Sequence, residues 1–467
     1  MSEGSSSRGL SPRRIAGFAC NQGFVFFLFY IGLTNNYALG NFHIERADLI
    51  GTLFFMVLGF VFVRVCPKSL RSVLGSRPFL LVYALFLSAG SLIPLFVESL
   101  TLFWLVLESA LLGLSCALML SAWGRAFGKV STKTSIPEVF LGSLLGALFG
   151  LVASFVPLAQ VDLAFRALPF VSAFALLSSA NSGFDLKSAP MSDVSTQAAT
   201  LLSFKIVAGT ALFGIAAGLM EVFYTEPGMQ AIPTFVIAFL LFVAFALGTL
   251  TTLLSDSFGR GTSLNKAYRL AVFIMLVGLF LVPTPVFTDS IVTGEAIVLA
   301  GYLGLSAVLI SLFLVLANIT NTSTSASFSR GFAALFAGEL FGVLLGNAFF
   351  ATHIGPGTPY TAIVLAGVLI LVSYIFLFTE RDFDELSEIV TDTDSFDQRC
   401  AMLSETYGLS NRESEILPFA LKGRTSERIS QELFISKSTV DTHLRRIYRK
   451  MEVHSKQELI DLSERTD

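Results

Sequence analysis

Long runs of apolar residues follow one another along most of the chain, separated by short polar segments. A helix that crosses the hydrocarbon core of a bilayer needs about 20 apolar residues. Most of the runs between positions 15 and 379 approach or exceed this length, and they predict twelve transmembrane helices, over residues 15–39, 47–66, 78–97, 101–122, 137–157, 161–181, 203–224, 232–254, 268–287, 291–316, 331–351 and 358–379.

The pattern changes after position 379, where the long apolar runs stop. Residues 403–465 instead carry apolar positions at helical spacing in four short segments. Ser410 and Glu413 have the spacing of a capping box, which starts a helix. Ile435 and Ser436 form a predicted tight turn between the second and third helices. The third helix places four apolar residues on one face, namely Val440, Leu444, Ile447 and Met451.

Composition separates this chain from ordinary soluble enzymes. Hydrophobic residues make up 54% and charged residues only 14% of the 467 positions, with a mean hydropathy of +0.73. Soluble proteins contain about 25% charged residues, and a disordered chain needs low hydrophobicity and high charge. The four cysteines include no Cys-x-x-Cys pair and the four histidines are scattered. We therefore expect no metal site, no cofactor and no disulfide framework.

Positive charges in the loops predict how the membrane part is oriented. With the N-terminus placed in the cytoplasm, the inner segments hold sixteen Lys or Arg residues and the outer segments hold two, Arg46 and Arg166. Cytoplasmic loops carry such an excess. Twelve spans then return the C-terminus to the same side. The sequence predicts a multi-pass membrane protein with both termini cytoplasmic.

Two glycine patterns occur at equivalent places in two groups of six predicted helices. Each is a double Gly-x-x-x-Gly, which puts three glycines on one helix face and allows a neighbouring helix to approach closely. Such stripes are also common in unrelated membrane helices. The sequence therefore leaves open whether the two stripes reflect an internal repeat or arose by chance. The stripes are Gly142, Gly146 and Gly150 in the fifth run, and Gly338, Gly342 and Gly346 in the eleventh.

With its twelve helices in two halves of six, the membrane part resembles the major facilitator superfamily. The segment from Asp256 to Arg260 looks like a fragment of that superfamily's Asp-x-x-Gly-Arg loop signature. The equivalent loop of the first half, Arg64 to Arg77, lacks the Asp and most of the pattern. The resemblance implies a transporter-like bundle, while the incomplete signature argues against a working transporter.

Two carboxyl groups are predicted to lie inside the bilayer, Glu108 in the fourth helix and Glu339 in the eleventh. Ionisable residues in the hydrocarbon region are costly and usually have a role. They are candidates for binding a small-molecule ligand or for coupling to a proton. The alternative is that each carboxyl is hydrogen-bonded and only packs helices together.

An acidic segment joins the membrane part to the last domain. Residues 380–399 contain eight acidic and two basic residues. Acidic, polar segments stay solvated and extended. We divide the chain into a twelve-helix domain at 1–379, a cytoplasmic linker at 380–402 and a C-terminal domain at 403–467. The linker is interpreted as a spacer, with a regulatory contact as the alternative.

The last domain has the order helix, short turn, basic helix, which is the helix-turn-helix pattern. Residues 403–467 contain eleven basic and eleven acidic residues and are neutral, yet the third helix carries five basic residues against one acid, Asp441. Charge concentrated on one helix of a neutral domain indicates an anionic partner.

The spacing of this domain resembles the LuxR/NarL/FixJ-type DNA-binding domain. The residues that carry the likeness are Leu409 to Glu413, Gly423 to Thr425, Ile429 to Ser436, Thr439 to Met451, and Val453 to Ser455. The resemblance implies that the third helix enters the major groove of promoter DNA and that the fourth, Ser455–Ser463, mediates a homodimer on DNA. It implies DNA contacts from Thr425, Lys437, Ser438, Thr439, Asp441, Thr442, Arg445, Arg446 and Arg449.

Together these features predict an all-α protein in which a polytopic twelve-helix bundle precedes a four-helix LuxR-type domain. The favoured function is a membrane-tethered one-component transcriptional regulator that senses a small molecule or a membrane signal. The alternative is a transporter of the major facilitator type with an appended regulatory DNA-binding domain. No nucleotide-binding loop or catalytic constellation is visible in the sequence, so we expect no enzyme activity and no catalytic residues.

Overall fold

The computed structural model contains seventeen helices, α1 to α17, and one short β-hairpin among the residues that it describes. These residues are 10–29, 35–39, 42–97, 101–153, 155, 158–179, 196–224, 231–254, 260–282, 293–319, 324–351, 358–374, 396, 399–433 and 435–464.

Among the described residues, thirteen helices precede the acidic segment. They are α1 (Pro12–Phe27), α2 (Ala47–Val65), α3 (Lys68–Leu74), α4 (Arg77–Phe96), α5 (Leu102–Phe127), α6 (Thr132–Ala153), α7 (Leu158–Ser179), α8 (Thr196–Tyr224), α9 (Ala231–Leu254), α10 (Arg260–Leu281), α11 (Gly294–Ile319), α12 (Thr324–Ala351) and α13 (Thr358–Val372). Each of the twelve predicted spans overlaps one of these helices, and α3 is a short addition between the second and third spans.

The chain is a multi-pass membrane protein. Within the described residues, nine helices are long and apolar enough to cross a bilayer, namely α2, α4, α5, α6, α8, α9, α10, α11 and α12. The apolar segments of α7 and α13 are shorter, at Leu163–Ser178 and Thr361–Val372. The remaining span is α1, whose first turn carries Arg13 and Arg14.

The two groups of six helices pack in the same way. In the first half α1 packs against α6 and α7, α2 against α5, and α4 against α5 and α7. In the second half α8 packs against α12 and α13, α9 against α11, and α10 against α11 and α13. The contacts between halves are also equivalent, because α2 and α5 pack on α12 as α9 and α11 pack on α6. The bundle is therefore a structural repeat of two six-helix units.

The first predicted span, 15–39, is wrong at its C-terminal end. Helix α1 ends at Phe27, and Tyr37–Leu39 forms a strand, β1, that pairs antiparallel with β2 (Phe42–Ile44). The Asn35 backbone N–H and side-chain amide both donate to Asp48 Oδ2, at 2.9 and 3.0 Å. The Asp48 carboxylate thus satisfies the Asn35 backbone N–H, which needs no helical partner there.

The C-terminal helices form a second hydrophobic core of their own. They are α14 (Asn411–Leu421), α15 (Ser426–Leu433), α16 (Lys437–Lys450) and α17 (Lys456–Glu464), and they confirm the four predicted helices. A further helical segment at 399–406 adds Cys400 and Leu403 to this core. Ser410 and Glu413 form the predicted capping box, and α14 ends before Gly423, whose φ is 72°.

Candidate functional site

Local sequence fixes the start of α16. Ser436 is the N-cap residue, and its hydroxyl accepts a hydrogen bond from the Thr439 backbone N–H at 3.1 Å. The same hydroxyl lies 2.7 Å from Thr439 Oγ1 and 2.8 Å from Ser438 Oγ. An N-cap serine satisfies a backbone donor that the helix leaves unpaired. The first turn of α16 is therefore held by three neighbouring hydroxyl groups.

The two faces of α16 differ sharply in exposure. Val440, Leu444 and Ile447 are buried, as is Met451 just after the helix, against α14 and α15. Asp441 is half-buried. The other predicted DNA contacts are exposed: Thr425, Lys437, Ser438, Thr439, Thr442, Arg445, Arg446 and Arg449. Eight of the nine predicted contact residues are thus accessible to a large partner.

The exposed face of α16 is strongly cationic. In the part of the chain that the structure describes, no carboxylate pairs with Lys437, Arg445, Arg446 or Arg449. Lys450 differs, because its Nζ donates to Glu413 Oε2 at 2.7 Å and to the Gly408 carbonyl at 2.8 Å. Four basic side chains are therefore available to an anionic partner, and the fifth binds α14.

Several predicted contact residues also stabilise their own helices. Thr425 caps α15, since its hydroxyl accepts from the Arg428 backbone N–H at 3.3 Å. Thr442 donates to the Ser438 carbonyl at 2.8 Å. A hydroxyl has one O–H donor and two acceptor lone pairs. Thr425 therefore keeps its O–H to donate to a phosphate or a base, while Thr442 can still accept a hydrogen bond from a base donor.

The ion pair between Glu413 and Lys450 joins the first helix of the domain to the end of the basic helix. Burial raises the pKa of Glu413, but hydrogen bonds from Lys450 and Ser410 outweigh it and lower that pKa to about 2. The Glu413 side chain is only 3% exposed. This pair holds the cationic face of α16 in a fixed position relative to α14.

Glu339 of α12 lies in the interior of the membrane part. It is 2% exposed, and Tyr302 of α11 donates its hydroxyl to Glu339 Oε2 at 3.3 Å. The glycines on either side of it, Gly338 and Gly342, pack directly on α8. The carboxyl group is therefore enclosed by three helices of the second half.

Glu108 of α5 is 1% exposed, and its Oε2 atom has no hydrogen-bond partner among the described residues. It lies within electrostatic range of Asp48 and Arg166. Asp48 is itself held by Asn35 and the Leu49 backbone N–H. Glu108 and Glu339 thus belong to polar groups in different halves. The two groups are linked through Arg46, which lies within electrostatic range of both Asp48 and Glu339.

A connection between the halves was missed by sequence reasoning. Arg46, just before α2, forms an ion pair with Glu221 in α8. Beside it, Glu45 and Asn347 of α12 exchange two hydrogen bonds, at 2.8 and 3.3 Å. The loop before α2 therefore binds both α8 and α12 of the second half. No sequence signal indicates this contact, because the partners lie 175 and 302 positions apart.

The two glycine stripes face equivalent helices. A Cβ atom on Gly338 would collide with the Ala211 carbonyl oxygen, and one on Gly342 with that of Ile215. Gly146 meets α1 in the same manner, with Gln22 Cβ at 2.9 Å and the Ala19 carbonyl at 3.0 Å. Gly142 and Gly346 also face these neighbours, while Gly150 faces Phe239 of the other half.

Residues 256–259 of the loop signature and most of the 380–402 linker lie outside the described residues, and Arg260 begins α10. The described residues contain no group of three His, Cys, Asp or Glu side chains arranged to hold a metal ion.

Residues 408–463 match the family model described as "Bacterial regulatory proteins, luxR family". One similar protein is an uncharacterized response regulatory protein, YgeK, from Escherichia coli, 40% identical over 84 residues. The match covers 17% of this chain and 57% of YgeK, so the chain spans little more than half the length of that relative. The C-terminal domain is a LuxR-type helix-turn-helix DNA-binding domain.

The membrane part has the fold of the major facilitator superfamily. It is similar to the transporter FucP of that superfamily, with a TM-score of 0.50 and 14% identity over 78% of this chain and 96% of that one. It is also similar to the human organic anion transporter MFSD10, with a TM-score of 0.53 and 13% identity over 80% of this chain and 100% of the other. At this identity the likeness establishes the fold alone.

Proposed function

We propose that this protein is a membrane-tethered one-component transcriptional regulator. Its bundle senses a small molecule or a membrane signal, and its last domain binds promoter DNA. The main support for the proposal is the exposed cationic face of α16 in the LuxR-type domain. This domain and the multi-pass bundle are parts of the same chain. No separate partner is then needed to connect the membrane to the chromosome.

DNA recognition uses two kinds of contact. Exposed Arg and Lys residues bind phosphates, which gives affinity without sequence preference. The residues at the start of α16, Lys437 to Thr442, are those that reach base edges when this helix lies in the major groove. Asp441 repels phosphate, but its carboxylate accepts a hydrogen bond from cytosine N4. A homodimer formed through α17 places two such helices on one promoter site.

The signal reaches the DNA-binding domain through α13 and the linker at 380–402. The proposed boundaries are 1–379 for the sensory domain and 403–467 for the DNA-binding domain. With both termini cytoplasmic and the bundle in the inner membrane, the second core lies on the chromosome side. A ligand that binds one bundle conformation better than another shifts the population of the two. Glu108 and Glu339 are the proposed ligand or coupling residues.

The proposal is tested first with a fragment of residues 396–467, which contains the complete second core. Selection from a pool of random duplex DNA is expected to enrich a defined sequence with two-fold symmetry. The double variant Arg445→Ala/Arg446→Ala, which leaves the core residues in place, is expected to enrich none. Equal enrichment by both fragments would contradict the proposal.

A transporter with an appended regulatory domain is the second candidate, favoured by the likeness of the bundle to solved transporters. Under this function the bundle moves a substrate by rocking its halves about a central site. Uptake by vesicles that contain the purified chain separates the two functions. A regulator that only senses is expected to bind its ligand without concentrating it.

A further inference from the structure

Four arginines meet at the end of the bundle where α2 and α5 end and α12 begins. Arg64 lies in the last turn of α2, Arg71 in α3, Arg125 in the last turn of α5, and Arg330 in the second turn of α12. We call these four residues the basic cluster. Three come from the first half of the bundle and one from the second.

Hydrogen bonds within the basic cluster run from guanidinium groups to backbone carbonyls. Arg71 Nη2 donates to the carbonyls of Arg64 and Cys66, at 3.0 and 3.1 Å. Arg125 Nη1 donates to the Arg71 carbonyl at 2.7 Å. Arg64 lies within electrostatic range of Arg330, and Arg71 within range of Arg125. The cluster is thus one connected group of like charges.

Helix packing prevents these charges from moving apart. Phe60 of α2 stacks on Phe332 of α12 with ring centroids 5.7 Å apart. Ser121 of α5 and Ser329 of α12 have hydroxyl oxygens 3.3 Å apart. The first turns of α12 are therefore fixed against both α2 and α5 of the first half. Arg330 lies between these two contacts along α12.

No carboxylate among the described residues pairs with Arg64, Arg125 or Arg330. The Nε atom of Arg330 is buried and has no hydrogen-bond partner there. Like charges in a partly buried site repel, and a buried donor without a partner is unfavourable. Both effects are relieved by an anion with several acceptor oxygens.

We propose that the basic cluster binds a phosphate group between the ends of α2 and α12. Guanidinium groups match phosphate oxygens with paired hydrogen bonds, and basic pockets between transmembrane helices bind anionic lipid head groups. The phosphate belongs to an anionic lipid or to a soluble anion. Bound there, it joins the two halves of the bundle and stabilises the arrangement in which α12 packs on α2.

This site goes beyond DNA binding and does not depend on it. In the proposed orientation the cluster faces the cytoplasm at the level of the lipid head groups. The conformation of the bundle would then respond to the anionic lipid content of the inner leaflet or to a phosphate compound of the cytoplasm.

The test uses the full chain in nanodiscs and measures its midpoint of thermal unfolding. One arm compares phosphatidylcholine discs with discs that also contain phosphatidylglycerol. The other adds inorganic phosphate or pyrophosphate to phosphatidylcholine discs. We expect at least one arm to raise the midpoint. The double variant Arg64→Gln/Arg330→Gln is expected to bind the responding anion at least about tenfold more weakly, since charged hydrogen bonds are lost.

Lys266→Gln is the matched control, because Lys266 is an exposed cation at the start of α10, outside the cluster. It is expected to respond as the unchanged chain does. The double variant without added anion is expected to be at least as stable as the unchanged chain, since it removes like charges, and this shows that it folds. A response to lipid alone or to soluble phosphate alone identifies the source. No response in either arm, or an equal response from the double variant, would overturn the proposal.

Discussion

Lys450 at the end of α16 places its Nζ atom 2.7 Å from Oε2 of Glu413 in the first turn of α14. The Ser410 backbone N–H donates to the same carboxylate oxygen, also at 2.7 Å. One buried carboxylate therefore closes the capping box of α14 and binds the basic helix. This relationship connects the stability of the domain to the position of its DNA-binding face.

Acid is expected to destabilise the C-terminal fragment, residues 396–467, through Glu413. The pKa of this carboxyl falls from 4.5 to about 2 in the folded domain. A carboxylate whose pKa is depressed by folding stabilises the folded state. This contribution is fully present above pH 4.5 and is lost as the pH falls towards 2. Glu413→Gln should lower the unfolding free energy at pH 7 by about 2 kcal/mol and remove much of the loss between pH 4.5 and 2. Urea unfolding across this pH range measures both effects.

The control is Glu432→Gln, which breaks the more exposed pair between Glu432 and Arg428. A surface pair of this kind contributes about 0.5 kcal/mol or less. An equal loss of stability in both variants would show that the buried pair has no special contribution.

Arg445→Ala in the fragment is expected to weaken DNA binding and to reduce its salt dependence. Each lost phosphate contact lowers the slope of log K against log salt by about 0.9. Arg445 is exposed and pairs with no carboxylate in the described part of the chain. Binding titrations at several salt concentrations measure the slope. The control is Arg412→Ala in α14, because Arg412 already pairs with Glu415, and this variant should leave the slope nearly unchanged. Identical slopes for the two variants would refute the phosphate contact assigned to Arg445.

Gly342→Ala is expected to destabilise the bundle, because the added Cβ meets the backbone of α8. A side chain forced into a closely packed site typically costs about 1–3 kcal/mol. Thermal unfolding of the full chain in detergent measures the change. Gly248→Ala in α9 is the matched control, since nothing lies within 4 Å of its added Cβ. If both variants unfold at the same temperature, close packing of α12 on α8 does not stabilise the bundle.

Glu339→Gln is expected to change the response of a promoter reporter to its signal while the amount of protein in the membrane stays the same. The substitution removes the ionisable carboxyl group and retains the size of the side chain. Tyr302→Phe removes the hydroxyl that donates to Glu339 and should shift the response in the same direction. Wild-type dose-response curves for both variants would exclude Glu339 from signal sensing.

The sequence predicted most of the architecture because its signals are local. Hydropathy finds helices one at a time, and capping residues such as Ser410 mark where they start. The core face of α16 followed from the helical spacing of Val440, Leu444 and Ile447. The resemblance to a LuxR-type domain added what these local signals do not contain, namely the groove that α16 reads.

The remaining features depend on contacts between distant positions. The first strand of the hairpin, β1, was predicted as helix, since apolar strand residues and apolar helix residues look alike in a short run. The pairing of Arg46 with Glu221, and the meeting of Arg64 with Arg330, arise only when the two halves are packed together. Residue type alone likewise does not distinguish Lys450, which binds Glu413, from Arg449, which is exposed.

Occupancy of the chromosome by the full-length chain tests the central claim most directly. Chromatin immunoprecipitation is performed on cells whose membrane fraction contains the protein, in parallel with the Arg445→Ala/Arg446→Ala variant at the same level. The account predicts discrete promoter sites for the unchanged chain and none for the variant. Equal profiles from the two proteins, with both in the membrane, would contradict it.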